Sequence, residues 1–172
     1  AQELPVLLEA LADESPERQG AARAALALLP SEVATPAILA QLGTASGTRR
    51  LALFDALAER RDPATLPLFA KALTEPDEAI GQIACRVLGE LGDPAAIAPL
   101  VAAIAAPRSA VSEPAANALA RIPGDAVVEA LTAAIREAPP ESQRTLVRSL
   151  GARRSDKAAD ALVEIVGAIR DP

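Results

Sequence analysis

Large apolar residues recur along this chain every 31 positions, without a slip from one end to the other. One series is Leu7, Ile38, Phe69, Leu100, Leu131 and Leu162. A second is Leu11, Leu42, Leu73, Ile104, Ile135 and Val166, and a third is all leucine: Leu26, Leu57, Leu88, Leu119 and Leu150. Three apolar positions held in register mean that each unit buries the same face against its neighbours, which is the signature of a stacked repeat array. The units run 1–30, 31–61, 62–92, 93–123 and 124–154, and a half unit covers 155–172.

Within a unit the pattern predicts two helices. In the stretch Asp62 to Gly92, Asp62-Pro63 reads as an N-cap with proline in the first helical position, where its missing amide costs nothing. Leu66, Phe69, Ala70 and Leu73 follow at i, i+3, i+4 and i+7, one face of about three helical turns. Thr74-Glu75-Pro76-Asp77 breaks that helix. A second helix buries Ile80, Ala84, Val87, Leu88 and Leu91, with Gly89 and Gly92 read as its C-terminal glycines. Ser31, Asp62, Asp93 and Ser155 recur as expected N-caps, with Gly124-Asp125 in that role in the fifth unit. Pro5, Pro36 and Pro67 fall in or near the first turn of first helices, where proline is tolerated. Pro114 lies five residues before Leu119, so the second helix of the fourth unit is expected to start late, near Ser112, after a longer turn over 107–111.

Composition narrows the function classes. Half the residues are hydrophobic, yet Phe54 and Phe69 are the whole aromatic complement, and Trp, Tyr, Met and His are missing. The core must be Leu, Ile, Val and Ala. No apolar run approaches the ~18 residues a membrane span needs, so a water-soluble chain without membrane insertion is expected. The net charge of −6 and the pI near 4.8 disfavour nucleic acid and anionic lipid as partners. Lone Cys85 excludes an intramolecular disulfide framework and a thiolate metal site. It shares its place in the period with Arg23, Phe54, Ala116 and Val147, and reads as an ordinary half-buried thiol compatible with cytoplasm or periplasm. Leu4 at a core position and a last unit ending after one helix read as a segment of a longer array, or a small array capped by its end helix. Apolar end faces would let such a piece self-associate.

The stretches Leu91-Gly92-Asp93-Pro94-Ala95-Ala96-Ile97-Ala98-Pro99-Leu100-Val101-Ala102-Ala103-Ile104, Ala115-Ala116-Asn117-Ala118-Leu119 and Arg86-Val87-Leu88-Gly89 resemble HEAT repeats, specifically the short bacterial phycobilisome-lyase type. The usual valine-arginine pair opening the second helix is mostly replaced here, by Arg18-Gln19, Arg49-Arg50, Ile80-Gly81, Val111-Ser112 and Ser142-Gln143. The resemblance implies an all-α, armadillo-type right-handed solenoid of about five and a half repeats. It places second helices on a concave binding surface, and it implies a scaffold that binds proteins.

On that surface, one exposed ladder is Ala24, Asp55, Arg86, Asn117 and Arg148, and its neighbour is Gly20, Leu51, Gln82, Glu113 and Arg144. Both turn more basic along the chain, and Arg121 adds to the trend. Arg86, Arg121, Arg144 and Arg148 are therefore the candidate partner-binding residues, suited to carboxylates of an acidic peptide or protein segment. The alternative is a solvated face whose charges keep the array dispersed. Arg60 and Arg153 replace the apolar closing residues Leu29, Leu91 and Ile122. They are expected to satisfy carbonyls at a helix C-terminus, and they also offer a place where packing could loosen.

No catalytic, cofactor or metal site emerges. Without His there is no imidazole base or ligand and no Ser–His pair. Gly43-Thr44-Ala45-Ser46-Gly47 is a turn rather than a phosphate loop. The expectation is a non-catalytic interaction module. The alternatives are a bilin-lyase-like accessory or enzyme subunit, or a binder of nucleic-acid backbone through a local arginine stripe.

Overall fold

The computed structural model describes residues 3–106 and 109–170, and its described residues fall into two compact units, 1–65 and 66–172. The expected turn over 107–111 lies partly outside the described residues. Every described element is helical. In the first unit these are α1 (Glu3–Ala10), α2 (Pro16–Leu28), α3 (Ser31–Leu42) and α4 (Gly47–Arg60), followed by a 3-10 turn at Pro63–Thr65. The hairpins α1/α2 and α3/α4 stack through α2 against α4.

The second unit holds α5 (Leu66–Ala72), α6 (Glu78–Leu91), α7 (Ile97–Ala105), α8 (Ser112–Arg121), α9 (Ala126–Glu137), α10 (Pro140–Ala152) and α11 (Asp156–Arg170). Two layers form there. Helices α5, α7, α9 and α11 make one, and α6, α8 and α10 make the other, with each hairpin packed on the next. Helix α8 begins at Ser112, as the placement of Pro114 requires.

Burial follows the 31-residue period. Ile38, Phe69, Leu100 and Leu131 are inaccessible to solvent, as are Leu26, Leu57, Leu88 and Leu150. Each such side chain contributes about 1.5–3 kcal/mol relative to exposure. The end members depart from this pattern: Leu7 and Leu162 are only half-buried, and Val166 is 48% exposed. Among the described residues no second helix of a sixth unit packs on Leu162 and Val166. A further buried ladder consists of small residues, Ala34, Thr65, Ala96, Val127 and Ala158, one turn before the first apolar series. Small size hides these positions from a search for large side chains.

Helix ends show where local chemistry departed from expectation. Asp62 and Asp93 cap as anticipated, accepting from the Ala64 and Ala95 amides at 3.0 and 2.8 Å, and Ser155 accepts from the Ala158 amide at 3.3 Å. Asp62 and Asp93 open 3-10 turns, so α5 is only two turns long rather than three. Ser31 is not a cap: the cap position falls on Pro30, and the Ser31 hydroxyl instead accepts from Arg60 Nη2 at 3.2 Å. Asp125 sits at the cap of α9 in helical conformation, and its carboxylate makes no hydrogen bond to the first amides. Asp77 is a cap that the turn reading passed over, accepting from the Ala79 and Ile80 amides at 3.0 and 3.3 Å.

Of the two glycines near the end of α6, only Gly92 closes the helix, just past Leu91, with φ of +64°. Gly89 lies inside the helix, and a Cβ there would stand 2.8 Å from the Ala118 Cα. Its absence lets α6 and α8 approach closely. The same logic holds at Gly81, whose Cβ would meet the Val111 side chain at 2.6 Å.

Arg60 and Arg153 do bind helix-terminal carbonyls, but those of the preceding repeat. Arg60 Nη1 donates to the Leu26 carbonyl and Nη2 to that of Leu29 at 2.9 Å, while Nε reaches Thr35 Oγ1 at 3.3 Å. Arg153 Nη1 donates to Leu119 and Ile122 at 3.0 and 2.7 Å, and Nη2 to Gly124 at 3.0 Å. These contacts tie neighbouring hairpins together, so the expectation of looser packing at these arginines is overturned. The reason lies one residue beyond each capped helix. Leu29 and Ile122 are extended because Pro30 and Pro123 follow them. The residues that stand in place of those prolines in the other repeats, Arg61 and Gly92, take the left-handed conformation and close their helices themselves. Where proline forbids that closure, an arginine 30 residues later supplies the donors.

Candidate binding face on the second helices

Helices α6, α8 and α10 are neighbours in one layer, and their outward positions carry all four candidate arginines. Arg86, Arg121, Arg144 and Arg148 are exposed. The structure brings two of them together. Arg86 and Arg121 line a cleft of about 180 Å³ between α6 and α8, with Gln82, Cys85, Pro114, Asn117 and Ala118 as the remaining walls. Gly89 against Ala118 sets the helix approach there, and the side-chain amides of Gln82 and Asn117 add neutral donors and acceptors to the two guanidiniums.

Arg144 and Arg148 do not line that cleft. They project from α10, and Arg148 is paired with Glu113 of α8 across the interhelical groove. Both partners are more than half exposed, so the pair is weak and open to exchange. Their sequence separation, 35 residues, is one period plus one helical turn. Opposite charges at that offset were the readable signal, and a rung-by-rung comparison of ladders passes over it.

The layer's charges trend as the sequence indicated. Helix α6 carries Glu78, Arg86 and Glu90, α8 carries Glu113 and Arg121, and α10 carries Glu141, Arg144 and Arg148. The balance therefore runs from acidic through neutral to basic along the layer. On the opposite layer, α9 and α11 are linked by Arg136–Glu164 at 2.5 Å and Lys157–Glu129 at 2.6 Å. Glu129 beside the ammonium raises the Lys157 pKa.

Cys85 sits at the base of the cleft, 1% exposed, its Sγ 3.9 Å from the Val111 carbonyl. It is fully rather than half buried, as Phe54 is one period earlier, because close approach of α6 and α8 covers a position that Arg23, Ala116 and Val147 leave partly open. Burial pushes the thiol up to about 12, far from the thiolate a nucleophile or metal ligand needs. Among the described residues no cluster of His, Cys, Asp or Glu is arranged to hold a metal ion. None of the described helices is long and apolar enough to cross a membrane.

Gln143 lies in the first turn of α10. Its amide donates to the Ile135 and Ala138 carbonyls at 3.2 and 3.1 Å, closing the end of α9. Gln19, four periods earlier, donates likewise to the Asp13 carbonyl at 2.7 Å.

A family model for HEAT repeats matches residues 35–120, half of the chain. The chain belongs to the HEAT-repeat family. The matched HEAT segment includes α6 and α8, and with them the cleft between Arg86 and Arg121. No curated protein matches the chain. Among solved structures, it is similar to one chain in the complex of CpcE and CpcF of phycocyanin lyase from Nostoc sp. PCC7120, with 19% identity and a TM-score of 0.49 over 94% of this chain and 96% of that one.

Proposed function

We propose that this protein is a non-catalytic interaction module whose second-helix face, α6 to α10, takes an acidic segment of a partner protein. The observation that carries this reading is the convergence of Arg86 and Arg121 on one cleft with the Gln82 and Asn117 amides at its walls. Two planar guanidiniums with side-chain amides between them suit carboxylates, which accept paired N–H donors. The rising positive charge toward Arg144 and Arg148 extends the same preference to α10. Membership of a family built from stacked helix pairs agrees with a binding role, because such arrays present long continuous surfaces.

The test is binding of a labelled oligo-glutamate peptide by the full chain and by its Arg121→Glu/Arg144→Glu variant, after circular dichroism shows equal helix content. The parent should bind in a salt-sensitive manner, and the variant should lose at least about tenfold in affinity, as expected for removal of charge-assisted contacts. Equal binding by both proteins would remove the face from consideration. Affinity capture with the same pair then identifies the natural partner.

A further inference from the structure

We propose that a hollow between α5 and α7 is a binding site for a small aliphatic amine in its ammonium form, with the hydrocarbon body inside and the charged head at Glu78. The hollow has a volume of about 550 Å³, within the range of about 300–1,000 Å³ typical of small-molecule sites. Ala70, Leu73, Pro99, Ala102 and Ala106 form its sides, and the turns at 74–76 and 109–111 line one end. It shares no wall with the cleft at Arg86 and Arg121, so it stands or falls apart from the reading above.

The 31-residue period explains why the space exists. Ala70 is the smallest member of a series that otherwise reads Leu8, Leu39, Val101, Thr132 and Val163. One hairpin later the same place is filled by Val101, which is 8% exposed. Ala106 stands where the other full units hold Asp13, Thr44, Glu75 and Glu137. Helix α7 itself carries no charged residue. Two local departures from the pattern of the array therefore open the hollow and give it a hydrocarbon wall, which favours an apolar ligand body.

The polar groups decide the head. Among the described lining residues these are two carboxylates, Glu75 and Glu78, and two hydroxyls, Thr74 and Ser109, with no lysine or arginine. Glu75 is already engaged. Glu78 accepts from the neutral Gln82 amide at 3.0 Å, and no cation pairs with it among the described residues. The Thr74 hydroxyl donates to the Lys71 carbonyl at 2.9 Å, which leaves its lone pairs to accept. An ammonium brings three donors to this set of acceptors, whereas a carboxylate head would meet like charge. Confinement to one pair of first helices suits a small molecule rather than a protein segment, which needs a longer groove.

Isothermal titration of the full chain with octylammonium, octanol and octanoate tests this. Octylammonium should bind about three- to fivefold tighter than octanol, the value of one partly exposed ion pair, and at least about tenfold tighter than octanoate. Glu78→Gln should erase the advantage over octanol and leave octanol binding unchanged. Ala70→Leu, which restores the usual residue of the series, and Ala102→Lys, which sets an amine in the exposed wall, should each abolish octylammonium binding while thermal melts stay cooperative. Failure of both octylammonium and octanol to bind overturns the site. Octanoate binding as tightly as octylammonium overturns the choice of a cationic head. Undiminished octylammonium binding in both alanine variants puts the ligand elsewhere and overturns the hollow.

Discussion

Replacing Arg153 by leucine should destabilise the second compact unit, although leucine or isoleucine fills the same place in other repeats. Arg153 gives three hydrogen bonds to carbonyls at and just past the end of α8. A hydrogen bond from a charged donor is worth about 1.5–3 kcal/mol where its acceptor is shielded, and the helix-end dipole adds a few tenths to about 1 kcal/mol. The bonds share one side chain and the guanidinium is partly exposed, so they do not add fully. A loss of about 2–3 kcal/mol is expected, which lowers the urea midpoint by about 1 M for a slope near 2 kcal/mol per molar. Far-ultraviolet circular dichroism during urea titration reads it. Arg144→Leu on the same helix should stay within about 0.5 kcal/mol of the parent. The mechanism also demands coupling to Pro123. In a Pro123→Gly background the end of α8 can close as α6 closes at Gly92, so Arg153→Leu should cost at least about 1 kcal/mol less there. Additive effects of the two substitutions, or an Arg153→Leu protein as stable as the parent, would refute the argument.

Gly89→Ala should lower stability by about 1–3 kcal/mol by overpacking against the Ala118 backbone, despite alanine's helix-propensity advantage of about 1 kcal/mol; a stabilised variant in thermal melts would contradict the close approach. Cys85 should resist alkylation in the native protein and react at the rate of a free thiol only once urea unfolds the chain. Its raised pKa makes a stabilising contribution present below the unfolded thiol value of about 8.5 and lost as pH rises toward about 12, a decline that Cys85→Ala should remove. Asp62 is held below the usual carboxylate range, first by the Ala64 amide and also by hydrogen bonds from Thr35 and Ser31 and the nearby Arg60 charge. Its contribution is present above the unfolded value of about 3.9 and lost as pH falls through the lower folded one. Asp62→Asn should therefore flatten the acid limb of stability against pH, and an unchanged limb would show the carboxylate to be uncoupled from folding.

The period made the helical layers readable because large apolar side chains mark buried stripes wherever they recur. Phe69, Leu100 and Leu131 are interchangeable in that role, so their register survives substitution. The Ala34-to-Ala158 ladder was hidden, since alanine is as common on surfaces as in tight contacts. That the candidate arginines lie on second helices was legible from the period, but their grouping was not. Arg86 shares a cleft with its ladder mate Asn117 and with Arg121, one turn further along α8, whereas Arg148 stands on α10, the helix after next in that layer. The Arg148–Glu113 pair, 35 residues apart, is likewise made by long side chains reaching across adjacent helices. Cys85 was misplaced for a related reason: its burial depends on the glycines opposite α8, not on its own position in the period.

The Pro123–Arg153 and Pro30–Arg60 relationships each straddle a repeat boundary, and this bears on how such an array can be edited. A single 31-residue unit moved to a new place would carry a proline without its donor, or an arginine without its acceptors. Insertion of a second copy of residues 124–154 directly after the first would set Arg153's counterpart behind a helix already closed by Arg154, whose φ is +48°. The smallest exchangeable cassette is therefore two consecutive units, beginning upstream of the proline and ending beyond the arginine. Designs that shorten or lengthen this protein should cut outside such pairs, at seams like the one after Gly92, where each helix finishes with its own residues.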